Sequence, residues 1–198
     1  MALMTTGILW LLPRAHALIA GPEVFEASQY DGSAYTLDLA DARLTLVNAN
    51  LPLADTTAPS LAVADDATGV QLDAEAAQNY RTMAAAARQQ GVTLTLEKGY
   101  QDTADEYATG YGADILSADS TEKTAAFAKS RAYQWLTAYA AEYGFVERWP
   151  EDRQAATGMA YAPWHWRYVG KENALALRDS GLSLEEFLAL GQLSGTND

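Results

Sequence analysis

Apolar side chains recur every three or four residues in two stretches of the chain, and this spacing predicts two long helices. The first helix is expected over residues 72–90, where Asp73 can cap the beginning and Gly91 the end. Its apolar stripe consists of Ala76, Tyr80, Met83, Ala84 and Ala87. Such a stripe predicts that one side of the helix is buried against the rest of the domain.

The second helix is expected to begin at Asp119, because Asp119 and Glu122 have the spacing of a capping box. Its apolar stripe consists of Ala128, Ala132, Trp135, Leu136, Tyr139 and Tyr143. Gly144 is expected to end this helix.

Shorter stretches have the alternation or the β-branched and aromatic content of strands, and they lie at residues 43–48, 92–96, 110–116 and 165–169. A helix is expected from Lys171, and Ser183 with Glu186 forms a capping box for a last helix through Leu190. The strands are short and do not alternate regularly with the helices. This order favours an α+β fold with a small central antiparallel sheet flanked by helices.

Composition limits the possible functions. With 198 residues, 49% of them hydrophobic, the chain is large enough for one domain with a substantial core. It has no cysteine, which excludes disulfides and thiolate chemistry, and only two histidines, which excludes a three-histidine metal site in one chain. A net charge of −13 argues against nucleic acid as a partner.

The first residues favour two interpretations equally. The apolar run over residues 7–12 and the sequence Ala15-His16-Ala17 suggest a remnant of a targeting segment, but no basic residue precedes the run. The same residues could form a first strand. The apolar run is too short to span a membrane. We expect residues 1–42 to be an N-terminal extension and residues 43–198 to form the domain.

The most informative motif is the run of residues 161–170, Y-A-P-W-H-W-R-Y-V-G. It resembles the zinc-site signature of the VanY-like D-alanyl-D-alanine carboxypeptidases, which reads roughly Y-E-P-W-H-x-R-Y-V-G. Three further segments resemble the family in the same order, at residues 46–53, 83–94 and 109–115, and the last resemblance extends over residues 135–170. The resemblance therefore covers roughly residues 43–190.

The resemblance implies the fold that this family shares with lysostaphin-type and hedgehog-type zinc proteins. It also implies a peptidoglycan stem peptide as substrate and a location outside the cytoplasm, at the cell envelope. In the family, zinc is held by a histidine, an aspartate and a second histidine, and a glutamate is the catalytic base. Asp114 and His165 match two of these ligands.

The remaining catalytic positions are altered. Tyr107 stands at the first zinc histidine and Ala162 at the glutamate base, while Gln101 replaces an arginine expected to bind the carboxylate of the peptide. Neutral tyrosine is a poor zinc ligand, and alanine cannot move a proton. Glu106 is adjacent to Tyr107, but on a strand its side chain would point to the opposite face.

The candidate binding residues are Gln101, Tyr107, Trp164 and Arg167. Each also has a purely structural interpretation. Trp164 is a candidate core residue, and Arg167, like Arg148, is a candidate partner of a carboxylate in the same domain. Tyr107 could fill the former metal position or donate a hydrogen bond to Asp114. His165 could be a buried histidine that is hydrogen-bonded to Asp114.

Three functions follow from these patterns. The first is a catalytically inactive member of the family that binds a stem peptide or an envelope protein and needs no cofactor. The second is an active zinc D,D-carboxypeptidase that recruits another ligand, such as Glu106 or Asp105. The third is a structural subunit in which the acidic face matters and the cleft does not.

Overall fold

The structure is a computed structural model that describes residues 38–194, with side chains described through residue 191. Most of the predicted N-terminal extension, with its targeting or first-strand segment, lies outside the described residues. Within the described part, the expected α+β architecture is confirmed. A four-stranded antiparallel sheet lies between helices, and a two-stranded hairpin lies beside it.

The hairpin and the sheet contain six strands. They are β1 (Leu61–Val63), β2 (Gln71–Asp73), β3 (Leu94–Lys98), β4 (Gly112–Ser117), β5 (Phe145–Glu147) and β6 (His165–Tyr168). The central sheet has the strand order β3-β4-β6-β5. The hairpin of β1 and β2 was not predicted from the sequence.

Five α-helices accompany these strands in the described residues. They are α1 (Ala74–Gln89), α2 (Arg131–Tyr139), α3 (Gln154–Thr157), α4 (Lys171–Ser180) and α5 (Leu184–Ser194). Single turns of 3₁₀ helix lie at Ala42–Leu44, Glu106–Thr109, Ala125–Lys129, Ala140–Tyr143 and Glu151–Arg153.

Each face of the central sheet covers a separate hydrophobic core. On one face, Ile115, Phe145 and Trp166 pack with α1 and α2. On the other face, Val169 and Leu44 pack with α4 and α5. Because successive residues of a strand point to opposite faces, the neighbours of Trp166, which are His165 and Arg167, lie on the second face.

Four predicted features are confirmed. Helix α1 begins after Asp73, whose carboxylate accepts a hydrogen bond from the Glu75 N–H at 2.9 Å. Strand β6 and helix α4 occupy the predicted regions. The capping box of the last helix also forms, because the Ser183 N–H donates to the Glu186 carboxylate at 2.8 Å and the Glu186 N–H donates to the Ser183 hydroxyl at 3.3 Å.

The predicted beginning of the second helix at Asp119 is wrong. The Asp119 carboxylate accepts a hydrogen bond from the Ser117 hydroxyl at 2.7 Å, and a backbone bridge between Ser117 and Ser120 turns the chain. Helix α2 begins later, where the Ser130 hydroxyl caps the Tyr133 N–H at 3.0 Å. Residues 118–124 are therefore free to run beside the sheet as a loop.

The predicted strand at residues 43–48 is also wrong. Its alternating backbone carbonyls are bound by arginine side chains instead of by a neighbouring strand. Arg167 donates to the carbonyls of Arg43 at 3.0 Å and Thr45 at 2.9 Å, and Arg148 donates to that of Val47 at 3.2 Å. These side-chain hydrogen bonds satisfy acceptors that a sheet would otherwise satisfy.

Strand β3 contains a β-bulge next to the functional region. Leu96 is paired with Ile115, but the next pair is Lys98 with Asp114, so Glu97 is an extra residue. The bulge places Lys98 beside Asp114 on the second face and leaves Glu97 exposed.

The described helices do not include one that is both long and apolar enough to cross a membrane.

Glu147, at the end of the edge strand β5, lies in an aromatic environment. The Tyr133 hydroxyl donates to its two oxygens at 3.1 and 2.9 Å. Burial raises the pKa of Glu147 to about 7, and the negative charges of Asp152 and Glu151 add to this effect, whereas the Tyr133 hydrogen bonds oppose it.

We expect Glu147 to make folding stability depend on pH. Its pKa is about 7 in the folded protein against an ordinary 4.5. The folded protein therefore holds this proton more tightly between those values, and the contribution of Glu147 to the free energy of unfolding falls as pH rises through the window.

Relative to Glu147→Gln, the native protein should lose about 1–2 kcal/mol between pH 5 and pH 8, measured by urea denaturation. Glu97→Gln, which changes an exposed strand glutamate, is the matched control and should show no such trend. Parallel pH profiles for all three proteins would contradict the prediction.

Candidate functional site

One row of side chains across the second face of the sheet contains the candidate site. Lys98 on β3 is paired with Asp114 on β4, and Asp114 is paired with His165 on β6. Arg148 directly follows β5, and its backbone N–H donates to the His165 carbonyl at 3.1 Å. Residues far apart in sequence are thus neighbours because adjacent strands place them in register.

The 3₁₀ turn Glu106–Thr109 adds two more side chains to this row. The Asp105 carboxylate caps the turn by accepting from the Tyr107 N–H at 3.0 Å, and Gly110 ends it with a φ of +75°. A side chain at Gly110 would lie 2.8 Å from Pro59 and 3.0 Å from the backbone of Asp73. These requirements fix Glu106 and Tyr107 above the sheet.

Asp114 and His165 form the buried centre of the site, as the sequence suggested. The Asp114 Oδ1 atom lies 2.7 Å from the His165 Nδ1 atom, and both residues are buried. The expected hydrogen bond of Tyr107 is present, because its hydroxyl donates to Asp114 Oδ1 at 2.8 Å, and the same hydroxyl lies 3.3 Å from His165 Nδ1. Tyrosine therefore fills the position beside the pair.

The second oxygen of Asp114 is also occupied. Lys123, from the loop at residues 118–124, places its ammonium nitrogen 2.7 Å from Asp114 Oδ2. The sequence did not point to this lysine, because the loop was predicted to be helical. Lys98 lies on the outer side, with its ammonium nitrogen 3.5 Å from the centre of the Tyr107 ring.

These contacts perturb the titration of the central pair. Burial would raise the pKa of Asp114, but the hydrogen bonds from His165, Lys123 and Tyr107 outweigh it and lower that pKa. Burial would lower the pKa of His165, but the neighbouring carboxylates of Asp114 and Glu106 raise it. Burial and Asp114 together raise the pKa of Tyr107, so its hydroxyl stays protonated.

Glu106 points into the protein, which corrects the expectation that it faces away from the site. The expectation assumed a strand, but the residue lies on a 3₁₀ turn. Its Oε1 atom accepts from Arg148 Nε at 3.1 Å and from Arg167 Nη1 at 2.9 Å. Burial opposes ionisation, yet the two guanidinium groups keep the pKa of Glu106 well below its usual range.

Arg148 continues this network to the last helix. It forms two hydrogen bonds of 2.8 Å to the carboxylate of Glu185, which also accepts from Asn48 at 3.2 Å. Both arginines therefore pair with carboxylates of the same domain, as one interpretation of the sequence proposed. Arg167 is fully buried, and its predicted role in binding a ligand stays a prediction.

Trp164 packs against the hydrophobic core on the first face of the sheet. Trp164 is half-buried and Gln101 is exposed, with its side-chain nitrogen donating to the Tyr100 carbonyl at 2.7 Å. Trp149 stacks on the His165 ring at 3.9 Å and 16°. Ala162 is buried, and its backbone N–H donates to the Trp149 carbonyl at 3.1 Å.

Five cavities of about 280 to 500 Å³ lie along the described part of the chain. None of these five is lined by Tyr107, Asp114 or His165. The candidate site is thus a filled, polar region rather than one of these openings.

The arranged side chains do not fit zinc. Ligands on a tetrahedral zinc ion stand about 3.3 Å apart, given bonds of ~2.0–2.1 Å, whereas Asp114 Oδ1 and His165 Nδ1 are 2.7 Å apart. Glu106 lies on the other side of the imidazole, 3.8 Å from Nε2, and cannot join Asp114 around one ion. Within residues 38–194, no group of three or more histidine, aspartate or glutamate side chains suits a metal.

Comparisons with known proteins identify the class. Residues 103–171 match the family described as VanY, D-alanyl-D-alanine carboxypeptidase. The D-alanyl-D-alanine carboxypeptidase of Enterococcus faecalis (strain ATCC 700802 / V583) is 39% identical over 83 residues, which are 42% of this chain and 29% of that protein. The chain spans about half or less of the length of the curated relatives it matches.

Solved structures share the fold. The LD-carboxypeptidase LdcB has a TM-score of 0.68 at 26% identity, over 78% of this chain and 92% of LdcB. A glutamate-to-alanine mutant of the vancomycin resistance D,D-pentapeptidase VanY, in complex with Zn(II), has a TM-score of 0.64 at 25% identity, over 74% of this chain and 99% of that structure.

The fold and the retained row of site residues thus define a carboxypeptidase-type α+β domain. More particularly, residues 103–171 of the chain match the VanY family, and the chain is similar over part of its length to proteins named D-alanyl-D-alanine carboxypeptidase.

Glu106 should be essential for stability, because its removal leaves Arg148 and Arg167 without their shared buried carboxylate. Glu106→Gln is expected to lower the free energy of unfolding by about 3 kcal/mol or more in urea denaturation. Glu142→Gln removes a carboxylate that is 45% exposed and pairs with Lys171 and Arg178, and it should cost less than about 1 kcal/mol. Equal losses in the two variants would contradict a special role for Glu106.

Proposed function

We propose that this protein is a catalytically inactive member of its family that acts as a binding or interaction module at the cell envelope. One observation carries the proposal: the Tyr107 hydroxyl lies within hydrogen-bonding distance of both Asp114 and His165. The sequence resemblance aligns this neutral phenol with the first zinc histidine of the family. The fold is retained around a site that has lost that ligand.

The loss of a base supports the same conclusion. Zinc hydrolysis needs a metal with an open position for water and a carboxylate that takes the proton of this water. The family's base position holds the methyl group of Ala162, which is buried and cannot transfer a proton. General base catalysis typically contributes about 10²–10⁴-fold to rate. Its loss adds to the loss of the metal ligand.

The outer part of the site remains suitable for binding. Tyr107 and Trp164 are only half-buried, Gln101 is exposed, and the Lys98 ammonium lies over the Tyr107 ring. An aromatic surface beside a lysine suits a peptide that ends in a carboxylate. Relatives act on D-alanyl-D-alanine peptides according to their names, and the LdcB structure concerns peptidoglycan recognition. We therefore propose a stem peptide, or an envelope protein with a similar terminus, as the partner.

Metal content and product release test the loss of catalysis. We expect the purified protein, equilibrated with zinc and then desalted, to hold less than a tenth of an equivalent of zinc. We also expect no release of D-alanine from a stem pentapeptide that ends in D-Ala-D-Ala. The variant Tyr107→His/Ala162→Glu carries the family's residues at these two positions and is assayed in parallel for D-alanine release.

The alternative is an active zinc D,D-carboxypeptidase with a divergent site. One equivalent of zinc in the native protein, together with D-alanine release that a chelator abolishes, would establish that alternative and overturn the proposal of inactivity.

Binding is tested separately by a calorimetric titration of the same pentapeptide into the protein. We expect a Kd below the millimolar range, and a loss of at least about fivefold for Trp164→Ala, which corresponds to about 1 kcal/mol of contact energy. Tyr139→Ala, at a tyrosine on α2 that is 43% exposed, is the matched control and should bind as the native protein does. No binding at millimolar peptide would remove the stem peptide as partner.

A further inference from the structure

We propose that Lys123 is an internal cation that replaces a metal ion beside Asp114 and closes the site in a metal-free form. This inference rests on the proposed inactivity and explains how a buried carboxylate is kept without zinc. Lys123 Nζ lies 2.7 Å from Asp114 Oδ2, and Asp114 is only 2% exposed. A buried carboxylate needs such a positive partner, because an unpaired buried charge is strongly unfavourable.

Both oxygens of Asp114 are committed. Oδ1 accepts from the Tyr107 hydroxyl at 2.8 Å and is 2.7 Å from His165 Nδ1, while Oδ2 faces Lys123. A metal ion could bind Asp114 only after at least one of these contacts is broken. Two features therefore oppose metal binding at Asp114. One is the tyrosine at the histidine position, and the other is Lys123.

The path of the chain explains how Lys123 reaches the site. After β4, the bridge between Ser117 and Ser120 reverses the chain, and residues 118–124 form a loop where the sequence pattern predicts a helix. Thr124 then precedes the 3₁₀ turn Ala125–Lys129. The side chain of Lys123 is 37% exposed, so its stem enters from the solvent side and its ammonium group covers Asp114.

The charges of the whole cluster already balance without a metal. Three carboxylates, on Asp114, Glu106 and Glu185, face three cations, on Lys123, Arg148 and Arg167. A divalent ion would add two positive charges beside ion pairs that already balance. Removal of the lysine would restore the excess of negative charge that attracts a metal ion.

Restoring the histidine alone should therefore not restore tight metal binding. We would measure zinc affinity by competition with a fluorescent chelator for Tyr107→His, Tyr107→His/Lys123→Gln and Tyr107→His/Lys123→Arg. The glutamine variant should bind zinc at least about tenfold more tightly than Tyr107→His, because its neutral side chain no longer competes with the ion for Asp114. The arginine variant keeps the charge and should stay within twofold of Tyr107→His.

Lys129→Gln in the Tyr107→His background controls for the general loss of a positive charge. Lys129 is exposed in the neighbouring 3₁₀ turn, and its replacement should also leave zinc affinity within twofold. Circular dichroism at the assay temperature checks that each variant is folded. If the glutamine variant is unfolded, Tyr107→His/Lys123→Met takes its place under the same criterion.

Zinc affinities within twofold for the glutamine, arginine and Tyr107→His proteins would overturn the role of Lys123. Equal gains for Lys123→Gln and Lys129→Gln would overturn it as well, because the effect would then be one of net charge. These results are independent of the proposed inactivity, which depends on D-alanine release by the native protein.

Discussion

The fold on one face of the sheet depends on the ion pairs of a single buried carboxylate, Glu106. It holds the guanidinium groups of Arg148 and Arg167, which in turn bind the chain at residues 43–47 and the carboxylate of Glu185 on α5. Segments from four parts of the sequence thus meet at one charge. Since such a charge is costly to bury unless every partner is present, these segments are mutually dependent.

The residues of the Glu106 network stabilise the fold. They differ from the residues at the positions where the family performs its chemistry. Residues that match the family's two signature segments make structural contacts here. The Thr109 hydroxyl donates one hydrogen bond and accepts another within its turn, and Arg167 donates to backbone carbonyls. Gly170 has a φ of +81° and lies so close to the Arg43 side chain that a Cβ atom would not fit. The sequence resemblance places Tyr107 and Ala162 where that family has a metal ligand and a base. Neither residue takes part in the ion pairs of Glu106.

Those parts of the fold and of the candidate site in which one physical signal dominates could be predicted from the sequence. Helix α1 follows from its apolar period and its Asp73 cap, and the pairing of Asp114 with His165 follows from motif resemblance. The alternation at residues 43–48 predicts a strand but does not distinguish carbonyls bound by a sheet from carbonyls bound by arginines. Lys123 could not be predicted, since its contact depends on a loop whose acidic residues imitate a helix cap.

The bulge in β3 determines which residue stands opposite Asp114. In a regular ladder, the residue after Leu96 would take that place, and this residue is Glu97. The additional residue advances the strand by one position, so a lysine stands there and the glutamate is turned to solvent. The bulge thus places a positive side chain over the Tyr107 ring beside Asp114 and a negative one in solvent. The insertion of one residue in a strand, and not only a substitution, can therefore change which charged side chains lie beside a site.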